Sequence, residues 1–335
     1  LKPDASTVRL VVAAGLASIY PAYLFFAAFA LADNLLIVAV VWTTVAVARS
    51  LVRPSPQSLA ISAGAVSLSV AIHGRAIPLV LSLVAVLGIE WRRTSDRRYL
   101  FTALATLAGA AIVYWASGQV SDFNTLSVLS DGARQDAGSI VSANLGWRPL
   151  LVLPFTVLGQ LLYLSAASFG LAVLGAGLLA NAVVSEETEA RAAASYALLV
   201  MITTLLLSAL FTNQGNGDLA LYGRYLEVGS VVVLFAGALT FVTELPTWYG
   251  RVLPPVLLIG ASVLVGIRGS DAFVGRQQVL NVSGAKAAID ISGRLDPLAI
   301  AMFSALGIFL LSQLRKVDLR LPVVGLAMLF ILSAG

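Results

Sequence analysis

The sequence predicts an all-α polytopic membrane protein with about eleven transmembrane helices and one re-entrant or interfacial helix. Of the 335 residues, 59% are hydrophobic and 11% are charged, and the mean hydropathy is +0.93. Soluble domains are about 45–50% apolar and about 25% charged, so this chain would keep a large apolar exterior in water. The composition therefore excludes a water-soluble enzyme.

The apolar residues form continuous runs rich in Leu, Val and Ala, and this favours helices. Strands of a membrane β-barrel would alternate apolar and polar residues. A helix also satisfies its backbone hydrogen bonds within the segment when lipid surrounds it. Charged and turn-forming residues delimit the runs. The expected spans are 8–31, 35–49, 57–72, 76–90, 97–115, 164–184, 192–211, 226–244, 252–267, 297–314 and 321–334.

Several of these runs are short for a membrane span. A run of about 15 residues reaches about 22 Å as a helix, whereas the hydrocarbon core is about 30 Å thick. Such helices are expected to extend by a turn at each end or to be surrounded by protein.

Residues 148–184 are too many for one span and too few for two spans with a turn. Pro149 and Pro154 interrupt the first part, and Gly159-Gln160 is expected to end it, because proline and glycine weaken helices. We therefore predict a re-entrant or interfacial helix over 149–160, followed by a span over 164–184.

The chain has no cysteine and one histidine. Disulfides, Cys-ligated zinc, iron–sulfur clusters and cysteine nucleophiles are excluded, and so is a His-rich metal site. We predict no metal-binding residue and no certain cofactor; dependence on a divalent metal stays open.

Basic residues are unevenly distributed between the two sets of alternate connections. One set holds 13 basic and 8 acidic residues in short connections, and the other holds 8 basic and 9 acidic residues, mostly in two long loops. Short cytoplasmic connections are enriched in Lys and Arg, so the first set, with the cluster 92–98, is predicted to be cytoplasmic. The net charge of +4 is thus a topology signal, and no nucleic-acid partner is expected.

The opposite side then carries Asp33-Asn34, the turn 73–75, the stretch 213–225 and the long loops 116–148 and 268–296. Loops longer than about 12–15 residues are usually functional or disordered. We therefore expect an integral protein of the plasma membrane whose active face is extracytoplasmic.

The stretch from Asn213 to Glu227 is the most informative part of the sequence, because a polar turn runs directly into a span. Arg224 is expected at the mouth of that span, between Tyr222 and Tyr225. A guanidinium can bind a phosphate through two parallel hydrogen bonds, and tyrosines place a polar tip at headgroup depth. The alternative is an ordinary interfacial Tyr/Arg anchor.

Three local patterns resemble the GT-C class of membrane glycosyltransferases. Tyr222-Gly223-Arg224-Tyr225-Leu226 before an apolar span is similar to the Arg-Tyr-Leu element of that class. Ile19-Tyr20-Pro21-Ala22-Tyr23, leading to Asp33-Asn34, resembles its Tyr-Pro helix with an acidic turn. The short helix 57–72, ending in His73-Gly74-Arg75, resembles its pair of short helices with an outer arginine.

The resemblance covers about residues 10–245. It implies a single transmembrane domain over 1–335, with a GT-C-like helical module over 1–245 and C-terminal helices with the loop 268–296 over 246–335.

The resemblance further implies transfer of a hexosyl or pentosyl group from a polyprenyl-phosphate donor to a glycan, lipid or protein acceptor, among membrane lipids. It implies that Arg224, with His73 or Arg75, stabilises the leaving phosphate. It places the catalytic base upstream of Leu1, and the chain, which begins without Met, is expected to be a fragment.

Other candidate residues have two interpretations each. Asp33 is a weak candidate base, or a helix cap. His73 and Arg75 line a phosphate or sugar pocket, or cap a turn. Trp147, with the acids of loop 116–148, binds a sugar ring, or is an interfacial aromatic beside a solvated loop.

Two other functions remain open at this stage. A transporter or flippase of lipid-linked substrates predicts charges inside the spans and repeat symmetry. A polysaccharide polymerase or ligase also has many spans and outer arginines.

Overall fold

The computed structural model describes residues 6–27, 32–123, 147–185, 188–212, 224–268, 283–292, 296–318 and 320–334. These residues form helices and short connections, and no β-strand occurs among them. The helices are α1 (Thr7–Ser18), α2 (Pro21–Ala27), α3 (Ala32–Val52), α4 (Pro56–Ile72), α5 (Ile77–Thr94), α6 (Arg97–Phe123), α7 (Trp147–Ala167), α8 (Leu171–Val184), α9 (Thr188–Thr212), α10 (Arg224–Thr243), α11 (Leu253–Arg268), α12 (Lys286–Ser292), α13 (Pro297–Val317) and α14 (Arg320–Ala334). Single 3₁₀ turns cover Gly74–Ala76 and Ser283–Ala285.

Five described helices are long and apolar enough to cross a membrane, namely α3, α6, α9, α10 and α13, and the bent pair α7–α8 makes a sixth. The expected count of eleven spans is not confirmed. Each expected run does contain a helix, but several are short: α1, α4, α11 and α14 are apolar helices of only 10–17 residues. An apolar run shows that a segment is buried, in lipid or in protein, and its length alone decides whether it can span.

The expected span 8–31 is divided into two helices. α1 ends at Ser18, and α2 begins at Pro21. Proline has no N–H for a helical hydrogen bond, and it disfavours helical geometry in the residue before it. The chain therefore changes direction at Ile19-Tyr20, which places Tyr20 and Tyr23 in the protein interior.

The break in 148–184 lies seven residues later than the sequence predicts, since the first helix ends at Ala167 and not at Gln160. α7 continues through Pro154, Gly159 and Gln160 to Ala167, and α7 and α8 meet at 108°. The turn depends on Gly170, whose φ is +79°, and a Cβ there would lie 2.4 Å from Leu253 Cδ2. The predicted end at Gly159-Gln160 is wrong, because one glycine costs a helix only about 1 kcal/mol.

α6 is also longer than expected, since it continues past residue 115 to Phe123. The first part of the expected loop 116–148 is therefore helical. Residues 124–146 lie outside the described part of the chain.

The turn between α5 and α6 carries the basic cluster 92–98. Glu90 binds Arg93 at 3.3 Å, and Arg98 binds Asp96 through its side chain and its backbone N–H. The hydrogen bond from the Arg98 side chain lowers the pKa of Asp96. These ion pairs stabilise a compact basic turn.

α10 is the central helix, and it packs against α1, α3, α7, α8 and α9. Its closest crossing is with α8. A Cβ on Gly175 would lie 1.8 Å from the Val233 carbonyl oxygen, and a Cβ on Gly237 would lie 1.9 Å from the Leu171 carbonyl oxygen. Such close backbone approach through small residues is typical of helix pairs in membranes.

The expected loop 268–296 contains ordered structure. The turn Ser283–Ala285 and α12 form a short segment, residues 283–292, that packs against α2, α7, α13 and α14. Lys286 and Asp290 form an ion pair of 2.7 Å on its surface.

Candidate functional site

A buried acid lies at the start of α10. Glu227 has no exposed surface, and the hydroxyl of Tyr163 on α7 donates a hydrogen bond to its Oε1 atom. The Tyr163 oxygen in turn accepts the backbone N–H of Gly284 at 2.9 Å. These bonds connect α10, α7 and the segment 283–292.

The backbone carbonyl of Glu227 is bound from a second direction. Tyr23 on α2 donates its hydroxyl to this carbonyl at 2.9 Å, and Ser230 donates its Oγ at 2.8 Å. Tyr23 and Ser230 are also within 3.2 Å of each other. These hydrogen bonds connect α2 to the first turn of α10.

Tyr20 completes this group. Its ring packs edge-on against Tyr23 at 5.0 Å and against Phe330 at 5.9 Å. A Cβ on Gly284 would lie 3.0 Å from the Tyr20 hydroxyl and 2.9 Å from that of Tyr163. We refer to Tyr20, Tyr23, Tyr163, Glu227 and Gly284 as the tyrosine–glutamate cluster.

Burial of Glu227 is costly unless polar groups surround its carboxyl. A carboxylate moved from water to an apolar interior loses several kcal/mol of solvation. The Tyr163 hydroxyl offsets part of that cost with its hydrogen bond to Oε1, since a typical hydrogen bond contributes about 0.5–1.5 kcal/mol. An ionisable residue inside a membrane bundle marks a functional site by default.

A large groove lies between α1, α3, α8, α9 and α10, with a volume of about 1320 Å³. Its wall on α3 extends from Asn34 to Val52, which is about 27 Å at 1.5 Å per residue. That length is close to the hydrocarbon thickness of a bilayer, about 30 Å. The lining is mainly aliphatic and includes Val38, Val41, Val45, Ala48, Leu178, Ala182, Ala193, Ala197, Val232 and Phe235.

The groove and the tyrosine–glutamate cluster meet at Tyr23. This residue lines the groove, and its hydroxyl binds Glu227. Asn34 and Ser18 line the groove together with Tyr23. Ser185 and Ala190 line it farther along, at the C-terminal end of α8 and the start of α9. One end of a long apolar groove therefore adjoins a buried polar group.

His73 and Arg75 lie in the turn between α4 and α5. His73 ends α4, and its Nδ1 and carbonyl oxygen accept the backbone N–H groups of Arg75 at 3.1 Å and Ala76 at 2.9 Å. His73 thus caps the 3₁₀ turn before α5. The cluster is instead built from α2, α7, α10 and the segment 283–292.

The remaining predicted residues are only partly described. Arg224 and Trp147 are the first residues of α10 and α7, and Asp33 is the second residue of α3. Asp33 thus lies in the first turn of α3, which begins at Ala32. The side chains of these three residues and of Tyr225, and the whole of Tyr222, lie outside the described part.

Sequence reasoning missed Glu227, Tyr163 and Gly284. Tyr20 and Tyr23 appear there only within the Tyr-Pro pattern, and Glu227 only as the last residue of the polar stretch from Asn213. The available signal was Glu227 itself, an acid directly before an apolar run and three residues after Arg224. Residues three apart are neighbours on a helix surface, so this spacing in the sequence predicts a polar face at the start of the run.

Within the described ranges, no three His, Cys, Asp or Glu side chains lie close enough together to hold a metal ion. Comparison of the chain with protein-family models, with curated proteins and with solved structures found no match.

Proposed function

We propose that this chain acts in a membrane glycosyltransferase that takes a sugar from a polyprenyl-phosphate donor. The observation that carries the proposal is the apolar groove, which extends over about 27 Å of α3 from Asn34 to Val52 and adjoins a buried polar cluster at Tyr23. A lipid-linked substrate has the matching shape, since a long apolar tail ends in a polar head.

The length of the groove favours a polyprenyl tail over an ordinary acyl chain. An acyl chain of a bilayer lipid covers one leaflet, about half of the 30 Å hydrocarbon core. A long-chain polyprenyl tail can fill both halves. Each Å² of apolar surface that it buries contributes about 25 cal/mol.

Arg224 is the proposed ligand of the donor phosphate. It begins α10, where the positive end of the helix dipole also favours an anion. Tyr222 and Tyr225 flank it in sequence and would lie at headgroup depth. The turn with His73 and Arg75 is a second source of positive charge in this proposal, and Trp147 would stack on a sugar ring.

In the proposed reaction, the acceptor oxygen forms a bond to the anomeric carbon while the bond from that carbon to the phosphate oxygen breaks. A carboxylate takes the acceptor proton, with Asp33 as the candidate in this chain. The phosphate leaves on the polyprenyl tail, and its charge is stabilised by Arg224. The acceptor would be a glycan, lipid or protein at the extracytoplasmic face of the plasma membrane.

Photo-crosslinking tests this proposal. A long-chain polyprenyl phosphate with a diazirine at its distal isoprene unit is bound to the protein in nanodiscs. We expect labelling of groove residues near Val52 and Ala190, and displacement by unlabelled polyprenyl phosphate but not by an excess of phospholipid. Labelling confined to the exposed face of α6, at Phe101 and Trp115, would contradict it.

One observation favours a second function, transport of a lipid-linked substrate. Glu227 is a fully buried acid at the start of a candidate span, and such residues often move protons or ions in transporters. Movement of a fluorescent polyprenyl-phosphate lipid between the leaflets of proteoliposomes, dependent on Glu227, would favour this alternative. Sugar transfer without movement would favour the transferase.

A further inference from the structure

The segment 283–292 is connected to the groove by two sets of contacts. In the first, Tyr23 binds the Glu227 carbonyl, the Glu227 carboxyl binds Tyr163, and Tyr163 accepts the N–H of Gly284. In the second, the ring of Tyr23 packs on Tyr20, whose hydroxyl adjoins Gly284. Both sets begin at a residue of the groove wall and end at Gly284.

Gly284 has no spare volume at this meeting point. A Cβ would lie 2.9 Å from Ala167 Cβ, 2.9 Å from the Tyr163 hydroxyl and 3.0 Å from the Tyr20 hydroxyl. Real Cβ atoms essentially never approach so closely, because packed interiors leave few voids. The segment can therefore pack against the cluster only while the side chains of Tyr20 and Tyr163 keep their positions.

We propose that Tyr163, held by Glu227, is a positioning residue that couples occupation of the groove to closure of the segment 283–292 over the tyrosine–glutamate cluster. A tail that packs against Tyr23 restricts its ring. The restricted ring stabilises the hydrogen bond to the Glu227 carbonyl and the packing on Tyr20. Glu227 then keeps its hydrogen bond with Tyr163, and Tyr163 continues to accept the N–H of Gly284. This inference rests on the proposed function, since it requires a lipid tail in the groove.

A buried cysteine measures closure of the segment. Ala288 on α12 is 3% exposed, and the chain has no cysteine of its own. In Ala288→Cys, a maleimide reacts only when the segment opens, so its rate reports the open population. Asp290→Cys, at an exposed position of the same helix, controls for access of the reagent.

In nanodiscs, long-chain polyprenyl phosphate is expected to slow labelling of Ala288→Cys by about five-fold or more, the lower end of typical coupling between sites. Labelling of Asp290→Cys should not change. Adding Tyr163→Phe, which removes both hydroxyl bonds, should make labelling of position 288 fast and independent of lipid. Adding Glu227→Gln should keep most of the lipid effect, because the amide oxygen still accepts from Tyr163.

Gly284→Ala is a second variant, in case Tyr163→Phe does not fold. It displaces the segment but leaves Glu227 and both tyrosines intact, so it should also abolish the lipid effect. Gly266→Ala is its matched control, because a Cβ at Gly266 meets no atom within 4 Å.

The outcomes separate the two proposals. If the diazirine lipid labels the groove but labelling of position 288 is equally fast with and without lipid, the coupling is wrong and the proposed function stands. If the lipid does not label the groove, both are wrong. A lipid effect that persists in Tyr163→Phe and in Gly284→Ala also overturns the coupling.

Discussion

The hydroxyl of Tyr163 donates a hydrogen bond to Oε1 of Glu227, and both side chains are completely buried. The two residues come from different helices, α7 and α10, and are 64 positions apart in the sequence. Their contact joins α7, the first helix of the bent pair α7–α8, to the first turn of α10. It also places an acid beside the end of an apolar groove, where the polar head of the proposed lipid-linked substrate would lie.

We expect Tyr163→Phe to destabilise the protein more than Glu227→Gln. The phenylalanine removes the Tyr163 donor of the Glu227 carboxyl and the Tyr163 acceptor of the Gly284 N–H, and removing one partner of a buried hydrogen bond costs about 1–3 kcal/mol. The glutamine keeps an acceptor for Tyr163. Thermal unfolding in detergent, followed by circular dichroism, measures the difference. Equal melting temperatures for wild type and Tyr163→Phe would show that the contact contributes little.

We expect Arg224→Ala to weaken donor binding by about ten- to a hundred-fold, which corresponds to about 1.5–3 kcal/mol for a charge-assisted contact. Arg224→Lys should be only partly tolerated, since an ammonium cannot form the bidentate contact. The measurement is saturation binding of the polyprenyl-phosphate sugar. Arg251→Ala, at an exposed arginine after the far end of α10, is the control, and the same affinity in both alanine variants would refute the role of Arg224.

The crossing of α8 and α10 gives a prediction for the fold. Gly175→Ala should lower stability by about 1–3 kcal/mol, the usual cost of overpacking, because its Cβ would lie 1.8 Å from the Val233 carbonyl oxygen. Gly177→Ala is the matched control two residues along the same helix, where a Cβ meets no atom within 4 Å. Chemical or thermal unfolding of both variants measures the difference, and an equally mild effect at both sites would contradict the close crossing.

The predicted topology places 92–98 and 315–320 in the cytoplasm and both long loops outside. A single cysteine at Asp131 should react with an impermeant maleimide in intact cells. A single cysteine at Lys316, which is exposed, should react only after permeabilisation. The reverse pattern would invert the orientation and move the proposed active face to the cytoplasm.

The helical class and the position of most helices could be predicted from the sequence, because long apolar runs without alternation leave few other structures. The expected run 35–49 lies within α3, and the run 192–211 lies within α9. The break at Gly170 could not be predicted in the same way. It depends on a positive φ and on packing against Leu253, which is distant in sequence.

Less of the candidate site than of the fold could be predicted from the sequence. The Tyr-Pro pattern drew attention to Tyr20 and Tyr23, and both lie in the cluster. In the sequence, Glu227 is the last residue of the polar stretch that begins at Asn213, and a charge at the end of an apolar run normally faces water. Only the tertiary contacts with Tyr163 and Tyr23 show that it is buried.

Obstruction of the groove tests the central claim most directly. Ala48 lines the groove, and Ala48→Phe would fill it, whereas Ala105→Phe places the same side chain on an exposed position of α6. The measurement is saturation binding of long-chain polyprenyl phosphate to both folded variants in nanodiscs. We expect Ala48→Phe to lower the affinity by about ten-fold or more, because overpacking costs about 1–3 kcal/mol. We expect Ala105→Phe to leave the affinity unchanged. Equal affinity in both variants would contradict the assignment of the groove to the lipid tail.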